Sequence, residues 1–352
     1  MSIILFTNLI AVLLAMGASN QKRILLDVSM WVMILVYGIR YDFGNDYWSY
    51  YNLFLDIKTF GLIEGRTDPI WGLLMYVCRP IGYFGFIFLI TGFEYYTIYK
   101  HIKIYVKPKN WWIAVLIFNF TFNFQLLGCS MMRQFFAICI LMYSIRYVST
   151  KQILRFLLIL AIAVGIHKTS IIFLLVLLFG IKIPKLNKWY WIALATGFFI
   201  GLTILASKYI HYLELAALIF EDDKFNNYLN GDQGSYSFTI LFDIFWMILL
   251  MYFYPKNRSA QVICMIGVLS YLIFPFTFSV VILSRIVVYF SIYLIFALPN
   301  SFSSVKTPAL KYGLIVLYSI LMIKRTIFNL TGATYGEYYN TFQTILSAEK
   351  WI

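Results

Sequence analysis

The run RYDFGNDYWSYY (40–51) brings Arg40, Asp42 and Asp46 together among six aromatic rings, in a chain only 12% of which is charged. Carboxylates accept hydrogen bonds from sugar hydroxyls and act as acid or base at glycosidic bonds. Aromatic faces stack on the C–H faces of sugar rings. Two more arginines stand out by isolation. Arg133 in LLGCSMMRQFFAICI and Arg285 in FTFSVVILSRIVVYFSIYL are each the only charge in a long apolar stretch. A guanidinium so placed can grip a phosphate through two parallel hydrogen bonds. Each pattern also has a plainer reading: an interfacial aromatic belt with ordinary loop charges, and arginines that snorkel to the interface.

The elements that must position these groups are hydrophobic helices. Of 352 residues 62% are hydrophobic and 20% aromatic, and the mean hydropathy is +0.80. A soluble domain is about 45–50% apolar and about 25% charged, so the composition is that of a membrane protein. Apolar runs long enough to span recur from end to end, and the alternating segments of a membrane barrel are absent. The expectation is an all-α polytopic protein, one membrane domain over residues 1–352. Full spans are expected near 2–17, 24–39, 70–99 (a short helix and then a span), 110–127, 132–148, 189–206, 238–254, 259–278, 286–299 and 309–323.

The first span has no basic segment before it, and Lys22 and Arg23 follow it, which reads as an uncleaved span with the N-terminus outside. The inner loops then collect Lys100, Lys103, Lys107, Lys109, Arg146, Lys151, Lys256, Arg258 and other basic residues, with no acid among them. The net charge of +13 is thus explained by topology, and no nucleic acid is called for. The outer side holds the loops 40–69 and 207–237, which are the expected substrate-facing elements, along with shorter loops around 128–133 and 279–285. The four cysteines read as small core hydrophobes. Scattered histidines, with no H-E-x-x-H or D-x-D motif, lead to the expectation that no metal or other cofactor is needed.

The stretch ILRFLLILAIAVGIHKTSIIFLLVLLFGI (153–181) does not fit one span. As a single helix its roughly 29 residues would reach about 43 Å, against a hydrocarbon core of about 30 Å. Its middle carries His167 and Lys168, and a cation at mid-bilayer costs at least about 2.5 kcal/mol. The expectation is a bent hairpin over 151–181, broken at GIHKTS, with His167 near the outer face.

Arg40, Gly44, Asp46 and Tyr50 together resemble the R-x3-G-x-D-x3-Y signature that follows the second span in EpsG-type proteins, part of the wider group of Wzy-like polysaccharide polymerases. Glu64, Arg133 with Gln134, His167 with Ser170, and Arg285 with Tyr289 and Phe290 follow in the family's order. The resemblance runs from about residue 1 to 300; the tail after 325 lacks a recognisable terminal signature. It implies a multi-span fold similar to lipid-sugar-dependent (GT-C-like) glycosyltransferases. It also implies a reaction: joining undecaprenyl-diphosphate-linked oligosaccharide repeat units into O-antigen, capsule or exopolysaccharide, at the outer face of the bacterial inner membrane. The implied base for the acceptor hydroxyl is His167 or Asp46, with Glu64 as a third candidate. The implied substrate contacts are Arg40, Tyr50, Arg133, Gln134, Arg285 and Tyr289. The implied partners are the lipid-linked oligosaccharide, the bilayer, a chain-length regulator and other polysaccharide-assembly proteins. A flippase for the same lipid-linked sugar is the main rival reading. Against it stands the single broken segment, without the counterpart that transporter repeats show. A ligase or another lipid-sugar glycosyltransferase is the rival among enzymes.

Overall fold

The structure is a computed structural model that describes residues 2–18, 22–57, 68–120, 124–180, 189–202, 237–274, 282–331, 339 and 342–346. These form two compact units, Met1–Ile171 with Val305–Ile352, and Ile172–Ser304. Both are helical, as the composition requires, and the first adds one two-residue strand pair.

In the first unit α1 (Ser2–Gly17) and α2 (Ile24–Gly38) lead to the short strand β1 (Arg40–Tyr41) and to α3 (Tyr47–Asp56). Next come α4 (Pro69–Val77), a 3-10 turn at Arg79–Ile81 and the long α5 (Gly82–Tyr105). The expected short helix followed by a span over 70–99 therefore appears as α4 and α5. Pro69 starts α4 at its first position, where a missing N–H leaves nothing unsatisfied. Helices α6 (Trp111–Phe120), α7 (Phe124–Ser130), α8 (Met132–Met142), α9 (Ile145–Ser149) and α10 (Ile153–Ile166) complete the run.

Helix α10 stops at Ile166, and His167 takes an extended conformation with φ −154° and ψ 113°. A 3-10 segment, Lys168–Gly180, follows. The break thus falls at the His167–Lys168 pair, where the length and charge of the segment place it. The second unit contains α11 (Trp189–Leu202), α12 (Ser237–Tyr252), α13 (Arg258–Ile273), α14 (Ile282–Ser291) and α15 (Leu294–Ser303). The chain returns to the first unit with α16 (Pro308–Thr331) and β2 (Gln343–Thr344).

Among the described residues, one helix, Arg79–Tyr105, is long and apolar enough to cross a membrane alone. Two bent pairs pass the same test when each is taken as one span, Pro108–Phe120 with Phe124–Ser130 and Ser284–Ser291 with Leu294–Ser303. The other apolar helices are of 10–17 residues.

Helices in lipid gain little from burying apolar surface against one another, so close packing and interhelical hydrogen bonds carry much of their association. The first unit has such bonds at its centre. Asn8 on α1 and Asn119 on α6 each donate a side-chain N–H to the other's backbone carbonyl at 3.3 Å. The Tyr37 hydroxyl on α2 donates to Asn8 Oδ1 at 3.0 Å. Three helices are thereby tied at one point. Cys129, Cys139 and Cys264 are buried free thiols, as small core residues would be.

Candidate functional site

The turn after α2 has to fold tightly, and its residues explain how. Asp42 (φ 46°) and Gly44 (φ 113°) both lie in the left-handed region. At Gly44 a Cβ would stand 2.6 Å from the Cys129 carbonyl oxygen and 2.9 Å from its carbon. Only glycine fits such a backbone against another backbone. The contact docks the turn onto the end of α7, where the Asn45 N–H donates to Ser130 Oγ at 3.0 Å. Ser130 Oγ also bonds the Tyr339 hydroxyl. The chain's last described residues close over the same turn. Strands β1 and β2 pair antiparallel, with Arg40 opposite Thr344 and Tyr41 opposite Gln343. Phe43 packs edge-on to Tyr339 and Phe342.

Within this turn Arg40 points inward. It is 1% exposed, with Nη1 donating to the Tyr37 carbonyl and Thr91 Oγ1, both at 2.8 Å. Nη2 lies 3.1 Å from Met132 Sδ. The guanidinium thus ties α2, α5 and α8 together. Glu94 is also buried on α5, one turn along from Thr91. The resemblance implies Arg40 as a substrate contact; the structure places it beneath the turn.

Helix α3 separates the aromatic residues onto two faces. Tyr41, Tyr47, Trp48 and Tyr51 line a shallow cleft with Phe84. Tyr50 is buried, packs edge-on to Trp71 and lies under the Arg133 guanidinium, 5.7 Å from ring centre to Cζ. Burial pushes the Tyr50 phenol up, and the Arg133 charge opposes that shift.

Arg133 leads to the second cluster. Its Nη1 is 3.6 Å from Asp68 Oδ2, and the same oxygen is 3.4 Å from His167 Nδ1. Asp68 occupies the N-cap of α4, a position where the carboxylate ordinarily accepts a bond from the helix's own first N–H groups. Here it makes no such bond. The proline that follows holds it extended, with ψ 135°, and its carboxylate faces Arg133 and His167. Asp68 is almost enclosed, its side chain 7% exposed, while Arg133 and His167 are 28% and 23% exposed. One buried carboxylate thus stands behind two reachable groups.

Close helix packing brings them together. A Cβ on Gly165 would meet Ile70 Cδ1 at 2.5 Å and Cγ1 at 2.7 Å. Glycine at that position lets α10 press against α4, two residues from His167 and two from Asp68.

Tyr50, Arg133 and His167 were all expected at a site from sequence, and they share one neighbourhood in the first unit. Asp46 is partly exposed and begins α3, with its charge felt by Tyr50. Gln134 is buried on α8. In the second unit Arg285 is exposed on α14, and Tyr289 of the same helix is fully buried. Glu64 and most of the loop 207–237 lie outside the described residues. Sequence reasoning did not single out Asp68, Glu94, Ser130 or Tyr339. For Asp68 one signal was present: it is the last carboxylate before an apolar helix, fixed by the proline after it.

Among the described residues no group of three or more His, Cys, Asp or Glu side chains is placed to hold a metal ion. Comparison with known proteins gives one result. The family model described as EpsG family matches residues 23–342. No curated protein matches the chain, and no solved structure does.

Proposed function

Because the chain belongs to the EpsG family, we propose that it is a membrane glycosyltransferase that polymerises lipid-linked oligosaccharide repeat units into a surface polysaccharide. The observation that carries this reading is the Asp68–Arg133–His167 cluster with Tyr50 beneath it. It combines the two things the transfer needs. The departing undecaprenyl diphosphate needs a fixed positive charge, which Arg133 supplies as a planar donor held in place. The acceptor sugar hydroxyl needs a base within hydrogen-bond reach, and His167 is that base. In the step, the acceptor oxygen bonds to the anomeric carbon of the growing chain. The bond from that carbon to the phosphate oxygen breaks, and its electron pair leaves on the lipid diphosphate. The hydroxyl proton passes to His167 and from there to water. Asp46, at the start of α3, is the alternative base. The accessible rings of the aromatic cleft, Tyr41, Trp48 and Tyr51, serve as a platform for sugar rings, with Tyr47 buried behind them.

The reading includes a topology. The protein crosses the bacterial inner membrane many times with its N-terminus outside, and residues 153–181 return to the side they came from, so that the cluster faces the periplasm. A single cysteine at position 185, in a background without native cysteines, is expected to react only with reagent supplied from the cytoplasm. Reaction from the periplasm would place every later loop on the opposite side.

Deletion of the gene tests the function. A ladder of surface polysaccharide that collapses to one repeat unit, with that unit displayed on the outer face, supports the polymerase. Repeat units retained on the inner face would make the protein a flippase, and an unchanged ladder would remove it from assembly.

A further inference from the structure

We infer that the corner between α9 and α10 is a binding site for an anionic phospholipid. Its headgroup phosphate is held by Arg146, Lys151 and Arg155, and its acyl chains lie along the exposed apolar face of α10. The site requires only that the chain lies in a bilayer; the topology proposed above puts it at the cytoplasmic leaflet.

The local structure gathers the cations. Helix α9 closes with the Gln152 N–H bonded to the Tyr147 carbonyl at 2.8 Å and the Lys151 N–H to the Val148 carbonyl at 3.2 Å. These are the paired bonds of a left-handed helix stop. Glycine is the usual residue at such a stop, but here Lys151 takes it, with φ 59°. The tight reversal brings Arg155, in the first turn of α10, back over α9. Its Cζ lies 5.8 Å from the centre of the Tyr147 ring, and Arg146 Cζ lies 4.5 Å from the same centre. Two guanidinium groups thus share one ring, and both residues are exposed. Arg155 Nη1 donates to Gln152 Oε1 at 2.6 Å, and Arg146 Nη2 donates to the Tyr147 hydroxyl. Each side chain thereby uses one of its five N–H donors.

Two features identify what these cations face. The first is the missing acid. No Asp or Glu occurs between Glu94 and Glu214, and among the described residues no carboxylate pairs with Arg146, Lys151 or Arg155. By contrast Lys103, in the last turn of α5, is paired with Asp27. The positive-inside rule accounts for the sign of these residues, but it does not ask that three of them converge. Like charges this close repel, and Lys151 and Arg155 flank the positive N-terminal end of α10. A phosphate relieves both, and each guanidinium is shaped to hold two of its oxygens. The second feature is an apolar stripe that starts at the cations. Leu154, Leu158 and Ile162 are four apart and so lie on one face of α10, and they are 72%, 59% and 45% exposed. A soluble phosphate would satisfy the cations and leave this stripe bare, and a second copy of the chain would add cations to the corner. A phospholipid with net negative charge complements both parts.

Thermal unfolding of the purified, delipidated full-length protein in detergent tests the site. Dioleoyl phosphatidylglycerol, dioleoyl phosphatidylcholine, inorganic phosphate and polyglutamate are added in turn. The wild type is expected to be stabilised by phosphatidylglycerol at concentrations where the other three have no effect. In Arg146→Gln/Arg155→Gln the midpoint concentration of that shift is expected to rise about 25-fold, from about fivefold for each cation lost near a membrane surface. Lys107→Gln/Lys109→Gln removes the same charge from another exposed pair and is expected to leave the midpoint unchanged. Leu158→Gln keeps every charge and is expected to weaken the response through the stripe. Where the arginine pair does not fold, Arg155→Gln alone repeats the measurement, with about a fivefold rise expected. A wild type that phosphatidylglycerol does not stabilise overturns the inference, and so does an equal response to phosphatidylcholine. An equal response to inorganic phosphate would make the corner an ion site, and a response to polyglutamate alone would give it to an acidic protein; either overturns the lipid. An equal loss in the lysine pair would reduce the effect to diffuse surface charge and overturn the site. A protein that responds as expected yet joins no repeat units refutes the polymerase reading alone.

Discussion

Arg40 and Arg133 both sit beside apolar helices of the first unit, and the protein uses them in opposite ways. Arg40 is 1% exposed, and its donors reach the Tyr37 carbonyl, Thr91 and Met132 inside the fold. The side chain of Arg133 is 28% exposed, with one carboxylate at 3.6 Å and a tyrosine ring beneath it. The first arginine is part of the scaffold. The second is held from behind and open in front. An isolated arginine in an apolar sequence therefore does not declare its role; the destination of its N–H groups does.

The largest effect expected from breaking this contrast is at Arg40. Arg40→Met leaves the Thr91 hydroxyl and the Tyr37 carbonyl without their donor. Each buried polar group left unsatisfied costs about 1–3 kcal/mol, and two are left here. The variant is expected to accumulate poorly in the membrane and to unfold early on heating in detergent, while Arg133→Met accumulates normally. Equal unfolding temperatures for the two variants would abolish the distinction.

Next in size is Arg133→Lys. Lysine keeps the charge but loses the planar, two-pronged grip. If the contact forms mainly as the diphosphate departs, its removal costs on the order of 3 kcal/mol, about a hundredfold in rate. Stability is expected to be unchanged. A snorkelling anchor would tolerate the exchange, so wild-type ladders from Arg133→Lys would return the residue to that plainer role.

Gly44→Ala tests the turn that covers Arg40. The φ of 113° and a Cβ 2.6 Å from the Cys129 carbonyl oxygen both oppose a side chain, and strain of this kind costs about 1–3 kcal/mol. Thermal unfolding is expected to fall accordingly. An unshifted transition would mean that the turn does not rest on α7.

The smallest effect is expected at Tyr339→Phe, which deletes the hydroxyl that bonds Ser130 and leaves the ring against Phe43. A single hydrogen bond of this type contributes about 1 kcal/mol. The expected readout is a small drop in unfolding temperature with polymerisation preserved. A large loss of polymerisation would give this tail contact a direct part in the reaction.

How far these features could be read from sequence differs from residue to residue. Helical class and the break at His167 follow from hydropathy, length and the energetic cost of a mid-membrane cation, all of which are local quantities. Gly44 is legible in the signature as a required residue, but its reason lies in a backbone 85 positions further on. Arg133 and His167 could be named as candidates because charged or polar residues in apolar surroundings attract notice, and Tyr50 because it closes the signature that begins at Arg40. Their meeting at Asp68 could not, since it depends on α10 closing against α4 at Gly165. Asp68 itself carried no motif that set it apart. Arg40 shows the same limit from the other side: its sequence setting resembles a groove residue, and only the positions of Thr91 and Met132 turn it inward. The closure by β2 was hidden because a two-residue strand leaves no periodicity to detect.

The most direct test of the central claim, that the Asp68–Arg133–His167 cluster is where units are joined, is a rate measured on His167. Purified wild-type protein and His167→Gln, matched for folded protein, are given undecaprenyl-diphosphate-linked repeat units, and the lengths of the products are followed with time. Removal of a general base lowers the rate by about a hundredfold or more, so His167→Gln is expected to leave nearly all units unjoined while wild type builds a ladder. A ladder from His167→Gln that grows as fast as wild type would contradict the claim and move the chemistry away from this cluster.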